Sequence, residues 1–277
     1  MLTTIQRAGT VLSMFTEERA EWGVREIAAE LKMPRSNVHE LLSSLASIGL
    51  LQRTRDARYR LGWRLLTLSG QLANSNEVTR VGSALLHQLA ALHQQSVSIA
   101  VYDGGEVVSV GQAEPQGSAP VSRVGDRMPM HSTATGKIML AQREGELPQL
   151  VLDRFTARTI TDPELLARAL VSVRRDGVAF DERETDDAIV CIASPIRDGR
   201  TGSVIAALSM SVAPAVFERE RFRLAQSVQR AAGQVSTLLG RESKLATMTN
   251  TPARLEFLAR AGEAPGPASQ RRDNASA

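Results

Sequence analysis

The 277-residue sequence predicts a mixed α/β (α+β) chain: an N-terminal helix-turn-helix with a wing, followed by a second domain of helices and hairpins. Three observations predict it. From Val24 to Leu45 the chain reads VREIAAELKMPRSNVHELLSSL, two short amphipathic helices either side of a corner. From Leu50 to Gly62 the apolar period shifts from helical to alternating around a polar turn, as in a small hairpin. Beyond about residue 76, alternating stretches and helical stretches follow one another, enough for a second core.

The corner carries the most information. Val24, Ile27, Ala28 and Leu31 give the first helix one apolar face, and Pro34 interrupts the pattern. Val38, Leu41, Leu42 and Leu45 rebuild an apolar face, leaving Arg35, Ser36, Asn37, His39, Glu40 and Ser43 opposite. A compact corner with a buried back and short polar groups in front is what a DNA-reading helix needs. Ser36 could instead serve as a helix cap. Ahead of the pair, Ile5, Ala8, Val11, Leu12 and Phe15 form the stripe of an opening helix over Thr4–Thr16.

Arg53, Arg55, Arg58, Arg60 and Arg64 lie close together around the hairpin, opposed only by Asp56. Long cations on a hairpin tip suit phosphate contact or minor-groove entry. The plainer alternative is an edge strand kept soluble by charge. A helix over Arg64–Ala73 connects to the rest, and the polar break Asn74-Ser75-Asn76 marks a domain boundary.

Val78 to Gln94 reads as an amphipathic helix with Val81, Leu85, Leu89 and Leu92 inward. Ser96–Ala113 alternates around Asp103-Gly104-Gly105, a hairpin signal. Glu114–Pro129 is loop by composition, and Ser132 or Thr133 caps a helix to about Arg143. Asp162-Pro163-Glu164 starts another, ending at Gly177. Strands follow over Val178–Phe180, Ile189–Ile196 and Ser203–Ser211, then a helix from Pro214 to about Gly240. The final stretch, poor in apolar residues apart from a short helical run at Leu255–Ala259, reads as a mobile tail.

Composition sets the bounds. Net charge is only +3, so DNA binding must come from local clustering rather than from the total. A single cysteine, Cys191, excludes an intrachain disulfide and any multi-cysteine zinc site. No apolar run is long enough to span a bilayer, and the N-terminus lacks the continuous apolar core of a secretion signal. A cytoplasmic protein with no membrane partner is the consistent reading.

Taken together, MPRSNVHELLSSLASIGLL, YRLGWRLLTL, VGDRMPMHSTATGKIMLA, TITDPELL, RRDGVAFDERE, CIASPIRD and GSVIAALSMS, in that order, resemble the IclR-type bacterial transcription regulators. The resemblance runs from the first helix to about Gly240. It implies a winged helix-turn-helix over residues 1–63, a linker helix over 64–75, and a GAF-like effector-binding and oligomerisation domain over 76–241, leaving 242–277 as the tail. It also implies a homodimer or homotetramer on a palindromic operator in double-stranded DNA. The resemblance implies a ligand-responsive switch; repression of a catabolic operon, relieved by a small effector, is the expected sign, with activation the alternative that the family also contains. Arg35, Ser36, Asn37 and His39 would read the groove, with Arg53, Arg55, Arg58 and Arg60 on the wing. Glu40 departs from the basic residue common in the family, which bears on operator sequence.

The resemblance further implies an effector pocket formed by Met128, Ala134, Thr135, Asp181, Ile189, Cys191, Ser209 and Ser211. Ser209 and Ser211 lie two apart on a strand and so share a face. Exposed N–H groups at the start of the Ser132–Lys137 helix favour a carboxylate, so the expected effector is a small organic acid, aromatic or aliphatic. Ala188 stands where the family usually has glycine, and Arg183 replaces a common acid, which bears on the shape of the turn after Asp181.

Several catalytic or metal readings are weaker. TATGKI lacks the first glycine and the Ser/Thr of a P-loop. Cys191 within CIASPI reads as a small buried hydrophobe rather than a nucleophile. His131 has no GxSxG elbow beside it, and the histidines lack metal-ligand spacing. Glu182, Glu184, Asp186 and Asp187 read as a solvated acidic turn rather than a metal site. No cofactor, no metal and no enzymatic activity are expected. The rival readings are a small-molecule enzyme with an accessory helical domain and an oligomeric scaffold whose helix-turn-helix binds protein.

Overall fold

The computed structural model describes residues 3–118, 120–143 and 150–249, with side chains to residue 241. The chain divides into two compact units, Met1–Asn76 and Glu77 onward.

The first unit contains α1 (Thr3–Ser13), α2 (Val24–Glu30), α3 (Arg35–Ser47), β1 (Leu51–Arg53), β2 (Tyr59–Leu61) and α4 (Arg64–Ser75). Its core joins Val11 of α1 and Phe15 just beyond it to Ile27 of α2, Val38, Leu42 and Leu45 of α3, and Leu51 and Tyr59 of the hairpin. The α2–α3 corner turns through Lys32, at φ 51°, and Pro34, whose extended backbone caps α3. The hairpin is clamped to the helices by reciprocal backbone hydrogen bonds between Trp22 and Tyr59, at 2.9 and 2.8 Å. Two details differ from expectation. Helix α1 stops at Ser13, and Ile5 is 66% exposed rather than part of the inward stripe.

The second unit contains α5 (Glu77–His93), β3 (Ser96–Asp103), β4 (Glu106–Ala113), β5 (Arg127–Pro129), α6 (Ala134–Leu140), α7 (Pro163–Asp176), β6 (Ala179–Glu182), β7 (Val190–Arg197), β8 (Val204–Val212) and α8 (Pro214–Thr249). The six strands form one antiparallel sheet in the order β5-β4-β3-β8-β7-β6. Helices α5 and α8 bury one face, with Leu86, Ile99, Ile192, Leu208, Val228 and Val235 at its centre. Helices α6 and α7 cover the other, with Met130, Ile138, Met139, Leu166 and Leu170. Because strand residues alternate between faces, each layer draws on every second side chain.

Helix α6 lies so close to the preceding loop that glycine is required. A Cβ on Gly136 would stand 2.3 Å from the Met130 carbonyl oxygen. Asp162 caps α7 by accepting hydrogen bonds from the N–H groups of Glu164 and Leu165, and Gly177 ends the helix in the left-handed region. Three expectations need correction. Leu92 is exposed, and α5 buries Val78, Gly82, Leu86, Leu89 and Ala90 instead. Residues 127–129, read as loop, form edge strand β5 paired to β4. Helix α8 continues past Gly240 to Thr249, and the rest of the anticipated tail, including Leu255–Ala259, lies outside the described residues. The fold class is as anticipated: a mixed α/β (α+β) chain, with a winged helix-turn-helix and a GAF-like effector-type domain.

Candidate DNA-reading face and effector cavity

Helix α3 presents Arg35, Ser36, Asn37, His39 and Glu40 to solvent while Val38, Leu41, Leu42 and Leu45 are buried. This face is polar because its opposite face makes the core. Ser36 does not cap the helix, since Pro34 occupies that position; its hydroxyl lies 3.2 Å from Asn37 Oδ1 and donates to it. The pair forms a small preset donor–acceptor group near the helix start.

The wing arginines divide by role. Arg53 and Arg55 are exposed at the hairpin. Arg58 is half-buried and turned inward, donating to the Glu21 carbonyl at 2.9 Å and to Glu26 at 2.8 Å. Glu26 also accepts from the Gly23 N–H and pairs with Arg19. The Gly23 hydrogen bond and the two arginines hold its carboxyl below the usual range. Arg60 donates to Gln52 across the hairpin at 3.1 and 3.3 Å, which stiffens the ribbon but leaves the guanidinium exposed. Arg64 donates to the Ile48 carbonyl.

In the second unit Met128, Ala134, Thr135, Asp181, Ile189, Cys191, Ser209 and Ser211 line a single cavity of about 320 Å³. Five elements and one loop residue supply them, with Met128 on β5, Ala134 and Thr135 on α6, Asp181 on β6, Cys191 on β7, the serines on β8 and Ile189 just before β7. Register explains the convergence. Cys191 pairs with Ser211, and its sulfur sits 3.3 Å from the Ser211 hydroxyl. Ser209 pairs with Ser98, their hydroxyls 2.9 Å apart. Sequence reasoning missed Ser98, Thr185 and Asp186, which also line the cavity. The signal for Ser98 was present: Ser96-Val97-Ser98 alternates as Ser209-Met210-Ser211 does, and antiparallel pairing sets the two runs side by side.

The cavity floor is polar and preorganised. Thr133 caps α6 by accepting from the Gly136 N–H at 3.1 Å, and Ala134 and Thr135 head the helix in the cavity wall. Asp181 is buried and accepts from the Glu184 N–H at 2.6 Å and the Thr185 N–H at 3.3 Å. Burial outweighs those bonds and raises its carboxyl above the ordinary value. The Cys191 thiol is pushed up to about 12 by burial, with the charge of Asp181 adding to it, so it stays protonated and is no nucleophile.

Behind the cavity lies a feature sequence reasoning read wrongly. Glu184 is not on a solvated turn. It is buried, paired with the equally buried Lys137, whose ammonium also donates to the Phe180 carbonyl at 2.9 Å. Lys137 thus anchors the acidic turn to α6. Arg183, at φ 66°, makes the turn possible, although a non-glycine residue is strained there. His131 Nε2–H donates to the Asp153 carbonyl, 2.9 Å away, and the ring stacks on Phe155, which is a packing role.

A helix-turn-helix with an exposed reading face, in one chain with a cavity lined by hydroxyls and carboxyls, defines a DNA-binding transcription regulator. Residues 4–55 match the IclR helix-turn-helix domain and residues 70–237 match the family described as bacterial transcriptional regulator IclR C-terminal. The chain belongs to the IclR family of transcriptional regulators, and the relatives it matches are named as transcriptional regulators. It is 29% identical to the HTH-type transcriptional regulator XynR of Escherichia coli over 87% of this chain and 98% of that one. It is 28% identical to the HTH-type transcriptional repressor AllR of Salmonella typhimurium over 85% and 89% of the two chains. Among solved structures, an IclR homolog from Microbacterium hydrocarbonoxydans complexed with 4-hydroxybenzoate superposes with a TM-score of 0.74 at 26% identity, covering 86% of this chain and 99% of that one.

Proposed function

We propose that this protein is a repressor of a catabolic operon, released from a palindromic operator when a small organic acid fills the cavity of the second unit. The observation that carries the reading is the convergence of Met128, Ala134, Thr135, Asp181, Ile189, Cys191, Ser209 and Ser211 on one cavity. Its volume, near the lower end for small-ligand sites, suits a single-ring or short-chain effector. The α6 N–H groups and the surrounding hydroxyls supply donors for a carboxylate. Burial raises the Asp181 carboxyl above its ordinary value, which lessens its repulsion of an anionic ligand. The Microbacterium homolog, which holds 4-hydroxybenzoate, supports an aromatic hydroxy acid as the first compound to try.

On the DNA side, Arg35, Ser36, Asn37 and His39 read base edges, Asn37 being suited to adenine and Arg35 to guanine. Arg53, Arg55 and Arg60 contact phosphate, and Arg58 holds the wing in place through Glu26. A homodimer, or a pair of dimers, sets two α3 helices about 34 Å apart or a multiple of that spacing. Helix α4 supports self-association: it buries no residue within its own unit and leaves Leu66, Leu68 and Leu72 exposed beside Trp63. The setting is cytoplasmic, where the DNA is; among the described residues no helix is long and apolar enough to cross a membrane.

Effector binding that favours one quaternary arrangement shifts the DNA-competent population by the difference in its affinity for the two states. Thermal-shift screening of the full chain against aromatic and aliphatic acids tests the ligand class. A bound acid raises the melting temperature by mass action. Replacing Ser209 by Val should abolish that rise. No shift with any acid would count against the organic-acid reading.

A further inference from the structure

On the opposite side of β6 from the effector cavity, a cleft of about 290 Å³ is walled by Arg158, Arg183 and Arg221. Two carboxylates, Glu182 and Glu218, share its lining, so guanidiniums exceed carboxylates by three to two. Arg221 is already matched: it pairs with Glu182 at 2.8 Å and lies over the rings of Phe180 and Phe217. Among the described residues no ion pair is formed by Arg158 or Arg183, and Glu218 is the one further carboxylate in the lining.

The backbone holds these two arginines in place. Thr156 and Thr159 are buried, and their hydroxyls donate to the carbonyls of Arg183 at 2.7 Å and Glu184 at 2.6 Å. The Arg158 N–H donates to Thr156 Oγ1 at 3.0 Å. One hydroxyl therefore ties the turn carrying Arg158 to the turn carrying Arg183. Arg183 keeps its left-handed backbone there, at φ 66°, a conformation strained for a non-glycine residue. Pro214, at the head of the long helix α8, closes another wall, and that helix end adds partial positive charge. Like charges assembled by strained, cross-braced turns are the arrangement of an anion cradle, and guanidinium forks match planar or tetrahedral oxyanions.

We propose that the Arg158–Arg183–Arg221 cleft is a second ligand site, taking a small oxyanion of the carboxylate or phosphate class. It is separate from the effector cavity but mechanically joined to it. Asp181 faces the cavity and Glu182 the cleft from adjacent positions of β6, and Thr185 and Asp186, just beyond Arg183, line the cavity again. An anion that settles the 183–184 turn therefore acts on the wall of the effector site, and by linkage the effector acts back on the anion.

Isothermal titration of the full chain with inorganic phosphate and, separately, with succinate tests this, against sodium chloride at matched ionic strength. Saturable binding of one of them below about 10 mM is expected, and which one binds identifies the class. Arg183→Gly accepts the positive φ without strain, and Arg158→Gln changes an exposed side chain, so both variants keep the fold, which melting curves verify. Each should weaken the anion at least about tenfold, as loss of a charge-assisted hydrogen bond implies. Loss of the binding in Ser209→Val with no loss in Arg158→Gln or Arg183→Gly would place the anion in the effector cavity and overturn the cleft assignment. Absence of saturable binding by both anions, or equal binding in wild type and Arg183→Gly, would overturn the site.

Discussion

Lys137 and Glu184 form an ion pair almost sealed from water, with side chains 4% and 8% exposed, that pins the turn after β6 to helix α6. Burial raises the Glu184 carboxyl even though Lys137 pulls it the other way. Removing one partner of such a pair strands a buried charge, which costs about 3–5 kcal/mol. Lys137→Met should therefore lower stability by about that amount in denaturant melts at pH 8.

The same variant has a pH signature. A carboxyl raised in the folded state binds its proton before the unfolded chain does. Its penalty is therefore absent below the ordinary value of 4.5 and grows as pH climbs from there through the raised folded value. In Lys137→Met the lowering partner is gone, so the window widens upward. The stability deficit should shrink as pH falls from 8 toward 5. A deficit independent of pH would mean that Glu184 is not the source.

The wing arginines should separate cleanly on mutation. Arg55→Ala should weaken binding to every duplex alike and reduce the dependence of log affinity on log salt by roughly one. Arg58→Ala should instead lower the melting temperature modestly, because the hairpin loses its tie to Glu26. Paired melting and anisotropy measurements check both. Loss of salt slope in Arg58→Ala alone would reverse the assignment.

Asn37→Ala should narrow the gap between operator and mismatched DNA by about 1–3 kcal/mol at one base position. A uniform loss on all sequences would make Asn37 a phosphate contact.

Cys191 should resist alkylation. With its thiol near 12, only about one part in 10⁴ is thiolate at pH 8, against roughly a tenth for an unshifted thiol. Iodoacetamide should leave the native protein unlabelled over hours and modify it readily in denaturant, read by mass spectrometry.

What the sequence made legible follows from where local pattern and tertiary packing agree. The α2–α3 corner was readable because its apolar spacing is its burial pattern: Val38, Leu41, Leu42 and Leu45 are all interior. The effector cavity was readable through resemblance, and Ser209 and Ser211 through strand alternation. Other features hid behind glycine. Gly82 sits in the buried stripe of α5, where a Cβ would reach within 2.4 Å of Ile99, so counting only large apolar residues rotated the inward face toward Leu92. Gly240 looks like a helix stop but is a close-approach residue: a Cβ on Gly199 would lie 2.2 Å from its Cα, and α8 runs on past it. Strand β5 is only three residues long and is held by pairing with β4, which no local period announces. Glu184 sits in an acidic run, and its burial depends on Lys137, forty-seven residues away in sequence.

The central claim is that ligand occupancy of the cavity controls the reading face. Fluorescence anisotropy of the full chain on the DNA upstream of its neighbouring operon, against a scrambled duplex, tests it directly. The prediction is a salt-sensitive preference of at least about 10³ for the native sequence, lost on adding the acid found by thermal shift. That release should be missing in Ser209→Val, whose operator affinity without ligand stays at the wild-type value. Equal affinity for native and scrambled duplex, or release that persists in Ser209→Val, would contradict it.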